Sequence, residues 1–154
     1  MKKNMTIEEA SRLLVESIKS AMRAQQQEAP AQPRLKVEPI IGDEETGEAV
    51  GVIIPVINKT LIFADVPAEE MKWDEAMAYA EGIGKALPTK QELYIIAYYR
   101  DEIAEYWPRI NDIALWSASQ YSSGGAWVLY YYGALNDYSK YGGLTVVPLA
   151  DLRP

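Results

Sequence analysis

Residues 116–143 have the sequence WSASQYSSGGAWVLYYYGALNDYSKYGG, in which short strand-like pieces alternate with glycine- and serine-rich turns. The stretch holds six of the chain's eleven tyrosines and five of its ten glycines, but only two charged residues, Asp137 and Lys140. Tyrosine provides a large, rigid contact area with a polar tip, and serine, glycine and asparagine adapt their hydrogen bonding. The composition is therefore typical of a contact surface rather than of a core or a solvated loop.

The piece AWVLYYY within this stretch has the character of a β-strand, along which successive side chains point to opposite faces. The face with the larger apolar mean is predicted to point to the core. A register shifted by one residue would exchange the two faces completely. The predicted inward set is Trp127, Leu129 and Tyr131, and the predicted outward set is Val128, Tyr130 and Tyr132.

The rest of the chain, taken together with this stretch, predicts an α+β fold. From residue 34 onward, the pieces RLKVEPII, VGVIIPVI and TLIFADV are rich in valine and isoleucine, and DEETGEA separates the first two as a turn. A helix is predicted over residues 71–83. A second helix begins after Thr89, which forms a capping box with Glu92, and ends at Pro108. The remaining pieces LWSAS, AWVLYY and LTVVPLA are strand-like, so two helices are expected to pack on short antiparallel strands.

The apolar positions of these two helices recur at helical spacing and mark the faces that should be buried. The first helix is expected to bury Ala76, Met77, Ala80 and Ile83, and the second Leu93, Ile96, Ala97, Ile103, Ala104 and Trp107.

A further amphipathic helix is predicted near the start of the chain. Apolar residues recur at helical spacing from Ile7 to Met22, and Thr6 with Glu9 forms a capping box. These signals predict a helix from Ile7 to Gln25.

The polar segment QQQEAPAQPR, which includes Pro30 and Pro33, predicts a linker after this helix. The expected domain organisation is a helix and linker in residues 1–33 and a globular domain in residues 34–154. Because a short amphipathic helix cannot bury its apolar stripe alone, it either forms a homo-oligomer with copies of itself or packs on its own domain. Both arrangements stay open at this point.

Charge and missing residue types argue against several classes of function. The 154 residues include 15 basic and 22 acidic ones, a net charge of -7 with no basic cluster, so nucleic acid is not an expected partner. The absence of cysteine excludes disulfides and zinc–thiolate sites, and the absence of histidine removes the serine–histidine triad and the commonest metal ligand. Asp101 and Glu105 have an i,i+4 spacing that is usual on a solvated helix face. No catalytic residue, cofactor or metal site is predicted.

Three motifs together resemble a known family: LPTKQEL at residues 87–93, LWSASQYSSGGAW at 115–127 and VVPLADL at 146–152. They resemble bacterial and phage proteins with a C-type-lectin-like fold, of the kind also found in formylglycine-generating enzymes. More closely, the chain is similar to the Fibrobacter-paralogous or DUF1566-type group, whose members include variable proteins of diversity-generating retroelements. The resemblance covers residues 73–149. It implies a C-type-lectin-like fold with Trp127 in the framework, although Val147 stands where the family usually has an arginine.

The retroelement comparison bears on the tyrosine-rich stretch. Such systems randomise adenine-containing codons, chiefly those for asparagine, so that variable tracts accumulate Tyr, Ser, Asn, Asp and Gly, as residues 121–143 do. Family members that are never diversified also carry these residues in exposed strands and turns. A near-copy of the DNA encoding residues 115–148, differing mainly at adenines, would establish diversification.

The expected function is non-enzymatic binding of a protein or glycan ligand through the tyrosine-rich surface, because hot spots of binding are enriched in tyrosine and tryptophan. Calcium-dependent sugar binding is not expected, since the chain has no Glu-Pro-Asn, Gln-Pro-Asp or Trp-Asn-Asp triplet. The alternative is a structural or assembly protein, for example a phage-associated one, whose tyrosine face is a subunit contact. The predicted ligand-binding residues are Tyr121, Ser122, Ser123, Val128, Tyr130, Tyr132, Asn136, Asp137, Tyr138, Ser139 and Tyr141.

The beginning of the chain, MKKNMTIEEASRLLVES, has basic residues but no continuous apolar run and no small-residue cleavage signal. Neither a signal peptide nor a membrane span is predicted. Synthesis in the cytoplasm is expected, with association with a virion as a further location that the resemblance implies.

Overall fold

The computed structural model describes residues 6–28 and 35–152, and within the first of these ranges the side chains of residues 6–20. The chain divides into two compact units, Met1–Arg34 and Leu35–Pro154. In the described residues the helices are α1 (Ile7–Glu28), α2 (Trp73–Gly82), α3 (Lys90–Tyr98) and α4 (Arg100–Tyr106), and the strands are β1 (Glu38–Asp43), β2 (Glu48–Ile54), β3 (Lys59–Ile62), β4 (Leu115–Gln120), β5 (Gly125–Leu129), β6 (Leu135–Ser139) and β7 (Ala150–Asp151).

The first unit contains α1, which begins with the predicted capping box. The Glu9 amide donates to the Thr6 hydroxyl at 3.1 Å, and the Thr6 amide donates to the Glu9 carboxylate at 3.4 Å. These bonds satisfy two amide groups that an uncapped helix would leave without a partner. The helix extends three residues beyond the predicted end at Gln25. The predicted linker falls largely on residues 29–34, which lie outside the described residues.

The second unit begins with an antiparallel sheet in the order β1-β2-β3-β7. The predicted turn between β1 and β2 is confirmed, and Gly47 closes it with a positive φ of 69° that glycine adopts at little cost. Asn58 takes the left-handed conformation between β2 and β3, as asparagine does more readily than most residues. The last strand comes from the far end of the chain, where Asp151 accepts a hydrogen bond of 2.5 Å from Lys59 on β3.

The residues predicted to lie on the apolar faces of these helices are buried or half-buried, with one exception. Ala76 and Ala80 of α2 are buried, whereas Ile83 is 40% exposed and its predicted burial is wrong, because it follows the last helical turn. Leu93, Ile96, Ile103 and Trp107 are buried, and Met77, Ala97 and Ala104 are half-buried.

The prediction of a single helix between Thr89 and Pro108 is wrong in one respect, because the structure has two helices there. The capping box of Thr89 and Glu92 starts α3 as predicted. At Tyr99 the backbone leaves helical geometry, with φ -96° and ψ 9°, and α4 begins at the next residue. Tyr99 itself is buried. The break between α3 and α4 therefore lies in an apolar core of this unit.

A second antiparallel sheet has the order β4-β5-β6, with β5 in the centre. Its first two strands lie in the predicted pieces LWSAS and AWVLYY, whereas β6 has the sequence LNDYS, for which no strand is predicted. The piece LTVVPLA is mostly not a strand: Leu144, Thr145 and Leu149 form isolated bridges, and the strand β7 covers its last residue.

Two apolar cores lie in this unit, and β5 contributes to both. The first core contains α3, α4 and the first sheet and includes Leu129. The second core contains α2 and Trp116 and includes Ala126 and Val128. Both faces of β5 are thus covered, whereas the alternation pattern predicts one core face and one open face.

The facing predicted for β5 is therefore wrong for several residues. Val128 is predicted to be exposed, but it is completely buried. Trp127 is predicted to be buried, but it is only half-buried, and Tyr131 is 58% exposed. Leu129 is buried as predicted.

The described residues form a mixed α+β structure with four helices and two antiparallel sheets, as the sequence predicts at this level. Their helices include none that is both long enough and apolar enough to cross a membrane.

Candidate functional site

The tyrosine-rich stretch forms an antiparallel hairpin, β5 and β6, joined by a turn at residues 130–134. The register pairs Ala126 with Tyr138 and Trp127 with Asp137. Directly paired residues of an antiparallel sheet lie on the same face. One face of the hairpin therefore carries Ala126, Val128, Tyr130, Asn136 and Tyr138, and the other carries Trp127, Leu129, Leu135, Asp137 and Ser139.

Aromatic rings on the first face form a continuous series from the second core to the solvent. Trp116 is completely buried and its ring centroid lies 5.8 Å from that of Tyr138. Tyr138 contacts Tyr130 at 6.4 Å, Tyr130 stacks on Tyr132 at 5.5 Å, and Tyr132 meets Tyr131 edge-on at 5.0 Å. We call these five residues the aromatic row. These spacings lie in the range in which aromatic pairs attract each other.

Exposure increases along the aromatic row. Tyr138 and Tyr130 are half-buried, whereas Tyr132 and Tyr131 are 60% and 58% exposed. The inner rings hold the outer ones by stacking, so the exposed tyrosines lose little side-chain freedom when a ligand covers them. Preorganisation of this kind increases affinity because less conformational entropy is lost on binding.

The hydroxyl of Tyr130 joins the aromatic row to the edge of the sheet. It donates a hydrogen bond of 2.9 Å to the carbonyl oxygen of Asp137. Burial raises the pKa of Tyr130 above its ordinary value of 10.0, and nearby Tyr132, Asp137 and Tyr138 raise this pKa further. The hydroxyl therefore stays protonated at neutral pH and keeps this hydrogen bond.

The outer edge of β6 is closed at its centre by side chains. Hydrogen bonds from Tyr130 to Ala134 and from Lys140 to Gly124 bracket the hairpin ladder, so the backbone groups of Asp137 point away from β5. The Asp137 amide donates to the Asn136 side-chain oxygen at 2.8 Å, and its carbonyl accepts from Tyr130. An edge with its polar groups satisfied is a poor template for an added strand. Side chains rather than backbone groups are thus offered to a ligand here.

The opposite face of the hairpin carries a second aromatic surface around Trp127. The Tyr121 ring meets Trp127 edge-on at 5.0 Å, and the Lys90 ammonium lies 3.7 Å from the Trp127 ring centroid. Tyr94 on α3 lies 6.0 Å from the same ammonium. Tyr121 and Tyr94 are 54% and 52% exposed. These four residues, which we call the tryptophan patch, combine large aromatic area with one cation.

Lys140, the residue directly after β6, contacts three separate segments of the chain. Its ammonium donates to the Gln120 side chain at 2.7 Å and to the Ser123 carbonyl at 3.2 Å, and it lies 4.4 Å from the Trp73 ring centroid. Its own carbonyl accepts from the Trp73 amide at 3.2 Å. These contacts fix the loop at residues 121–124 and the end of β6 to the start of α2.

A cleft of ≈ 490 Å³ opens beside Lys140 and holds groups of both charges. Ser123 and the 79%-exposed Tyr141 belong to the predicted site, and the remaining residues come mainly from the start of α2. The cleft can hydrogen-bond polar groups of a ligand while Tyr141 covers apolar ones. Its lining residues are Lys72, Asp74, Glu75, Ser123, Lys140 and Tyr141.

Gly142 lies directly against the ring of Tyr138. A Cβ atom at this glycine would lie 2.5 Å from the Tyr138 ring, which is too close for any side chain to be tolerated without movement. The absence of a side chain at Gly142 thus leaves room for the Tyr138 ring beside Trp116.

The predicted ligand-binding residues do not form one surface. The aromatic row takes Tyr130, Tyr132 and Tyr138, whereas Tyr121 lies in the tryptophan patch on the other face. Val128 is buried in the second core and leaves the predicted surface, because β5 is covered on both faces. The remaining predicted residues are exposed and belong to neither aromatic group: Ser122, Ser123, Asn136, Asp137, Ser139 and Tyr141.

The sequence pattern does not predict that several residues belong to these surfaces. The alternation pattern assigns Tyr131 and Trp127 to the inward face. The high tyrosine content of the stretch could have placed Tyr131 among the predicted binding residues. Lys90 and Lys72 lie far away in sequence and come close only through the fold. No local signal identifies them.

Within the described part of the chain no group of three or more histidine, cysteine, aspartate or glutamate side chains could hold a metal ion. No protein-family model matches the chain, and no curated protein sequence matches it either.

Proposed function

We propose that this chain is a non-enzymatic ligand-binding protein that presents the aromatic row on a C-type-lectin-like scaffold to a protein or glycan ligand. The observation that carries the proposal is the graded burial of the aromatic row, from the buried Trp116 to the exposed Tyr132 and Tyr131. A buried anchor that holds exposed aromatic rings is the arrangement expected of a binding hot spot. A subunit contact would use the same rings, so the partner decides between the two functions.

The C-type-lectin-like assignment rests on the resemblance of three motifs to that family. Two of these motifs supply parts of the site. Trp116 and Trp127 belong to LWSASQYSSGGAW, and Lys90 belongs to LPTKQEL. In this proposal the motifs that resemble the family supply Trp116 to the aromatic row and Trp127 and Lys90 to the tryptophan patch.

We further propose that the stretch is diversified by a retroelement. In support, its exposed side chains include Tyr131, Tyr132, Asn136, Asp137 and Tyr141, whereas Ala126 and Val128 are buried. Variation at the exposed positions would change the ligand without disturbing either core. Diversification would be established by finding a near-copy of the DNA encoding residues 115–148 that differs mainly at adenines.

A selection experiment tests the binding proposal while the ligand is still unidentified. The immobilised full chain is used to select from a random-peptide display library and is applied in parallel to a glycan array. We expect specific ligands to be enriched on the natural chain and lost on a variant with Tyr130→Ser, Tyr131→Ser, Tyr132→Ser and Tyr141→Ser. A Tyr98→Ser variant, altered at a 66%-exposed tyrosine of α3, serves as the control and should enrich the same ligands.

The two alternatives give different results in the same experiment. Ligands that bind the natural chain and the fourfold variant equally would contradict the proposed surface. Loss of self-association in the fourfold variant, with no ligand enriched on the natural chain, would instead assign the tyrosines to a subunit contact.

A further inference from the structure

The apolar stripe of α1 is exposed to solvent along the part of the helix whose side chains are described. Ile7, Leu14 and Ile18 follow one another at helical spacing and are 86%, 63% and 52% exposed. Outside the stripe, Leu13 and Val15 are a further two apolar side chains that are 56% and 48% exposed. So much exposed apolar surface on one helix is unusual for a soluble chain and indicates a partner.

Charge on the flanks of the stripe indicates which partner fits. At 3.6 residues per turn, Glu8 and Lys19 lie on the same flank, because their 11-residue separation is about three full turns. The other flank carries the small residues Ala10 and Ser17. One flank of the stripe thus has a negative charge near its start, at Glu8, and positive charges after it, at Arg12 and Lys19.

We propose that α1 pairs with α1 of a second copy of this chain in an antiparallel, two-fold symmetric arrangement. In an antiparallel pair the same flanks of the two helices face each other, so Glu8 of each copy lies near Lys19 of the other. A parallel pair would place the charged flank against the small residues, so that neither Glu8 nor Lys19 would face an opposite charge on the other helix. The two-fold arrangement repeats the contact and needs only one kind of surface.

A lipid surface fits this helix less well than a second copy does. Helices that lie on anionic membranes carry lysine and arginine on the polar face. Here the described polar positions include Glu8, Glu9 and Glu16 against Arg12 and Lys19, so the face has an acidic excess. The pairing does not depend on the proposed ligand, but it would give that ligand two binding surfaces in one assembly.

Exchange of the two charges tests the pairing in the full chain. Sedimentation equilibrium at low ionic strength should show a concentration-dependent dimer. We expect Glu8→Lys alone and Lys19→Glu alone each to weaken the dimer by roughly tenfold or more, because two attractive contacts become repulsive. The double variant Glu8→Lys, Lys19→Glu should restore it. Glu16→Lys makes the same charge change on the opposite face of the helix and should leave the dimer unchanged.

Disulfide formation reports the orientation of the pair, since the chain has no cysteine of its own. Glu8→Cys and Lys19→Cys variants are mixed and oxidised, and the linked peptides are identified by mass spectrometry. An antiparallel pair predicts links between the two variants in preference to links within each one. Three results would overturn the proposal: a monomer at all concentrations, binding of the monomer to phosphatidylglycerol vesicles through α1, or a preference for links within each variant.

Discussion

Replacement of Trp116 by alanine should destabilise the Leu35–Pro154 unit by about 3–5 kcal/mol, the range for a fully buried large aromatic side chain. Trp116 has no exposed surface, donates a 2.7 Å hydrogen bond to the Met71 carbonyl and contacts Tyr138. Alanine would leave a cavity in the second core and remove one of the two hydrogen bonds that the Met71 carbonyl accepts, the other coming from the Leu144 amide at 3.0 Å. Because domains of this size are stable by about 5–15 kcal/mol, the substitution should remove a large share of the unit's free energy of unfolding.

The matched control is Trp127→Ala. Trp127 is half-buried between Lys90 and Tyr121, so its loss should cost about 1–2 kcal/mol, within the usual range for single substitutions. Urea denaturation followed by far-ultraviolet circular dichroism measures both variants without relying on tryptophan fluorescence. A larger loss of stability for Trp127→Ala would show that β5 faces the cores in the opposite way.

Replacement of Tyr131 and Tyr132 by serine should raise the dissociation constant for a selected ligand by roughly 10²- to 10³-fold. Hot-spot aromatics contribute about 2 kcal/mol each on truncation, and every 1.4 kcal/mol changes the constant tenfold. The melting temperature should hardly change, since exposed substitutions alter stability by about 0.5 kcal/mol or less each. Tyr131 and Tyr132 are at the exposed end of the aromatic row, whereas Trp116 is at its buried end.

The control for this prediction is Tyr98→Ser, which removes an equally exposed tyrosine from α3. Surface plasmon resonance with the immobilised ligand measures all three proteins. An unchanged dissociation constant in a folded Tyr131→Ser, Tyr132→Ser variant would exclude the outer end of the aromatic row from the binding surface.

Local sequence signals predict much of the fold because their physical causes are local. Both capping boxes, at Thr6 and at Thr89, form as expected, since they need only residues three positions apart. The turn before β2 and the buried stripe of α3 and α4 also follow from short-range patterns. The break at Tyr99 does not, because no glycine or proline marks it and Tyr99 is buried in the first core.

The site is harder to predict than the fold because it depends on long-range packing. The alternation rule fails for β5 since two cores cover its two faces, so that Val128 is buried and Trp127 remains half-exposed. The strand β6 has the polar sequence LNDYS, and only its pairing with β5 makes it a strand. The contacts of Lys90 and Lys140 join segments that are distant in sequence.

Hydrogen exchange of the backbone amides, with and without a selected ligand, shows most directly whether the aromatic row is the binding surface. A ligand bound there should slow exchange in the turn at residues 130–134 and in the neighbouring part of β6, while α3 exchanges at the same rate in both states. Protection that falls on α3 and the loop at residues 121–124, with the turn unchanged, would contradict binding at the aromatic row and assign it to the tryptophan patch.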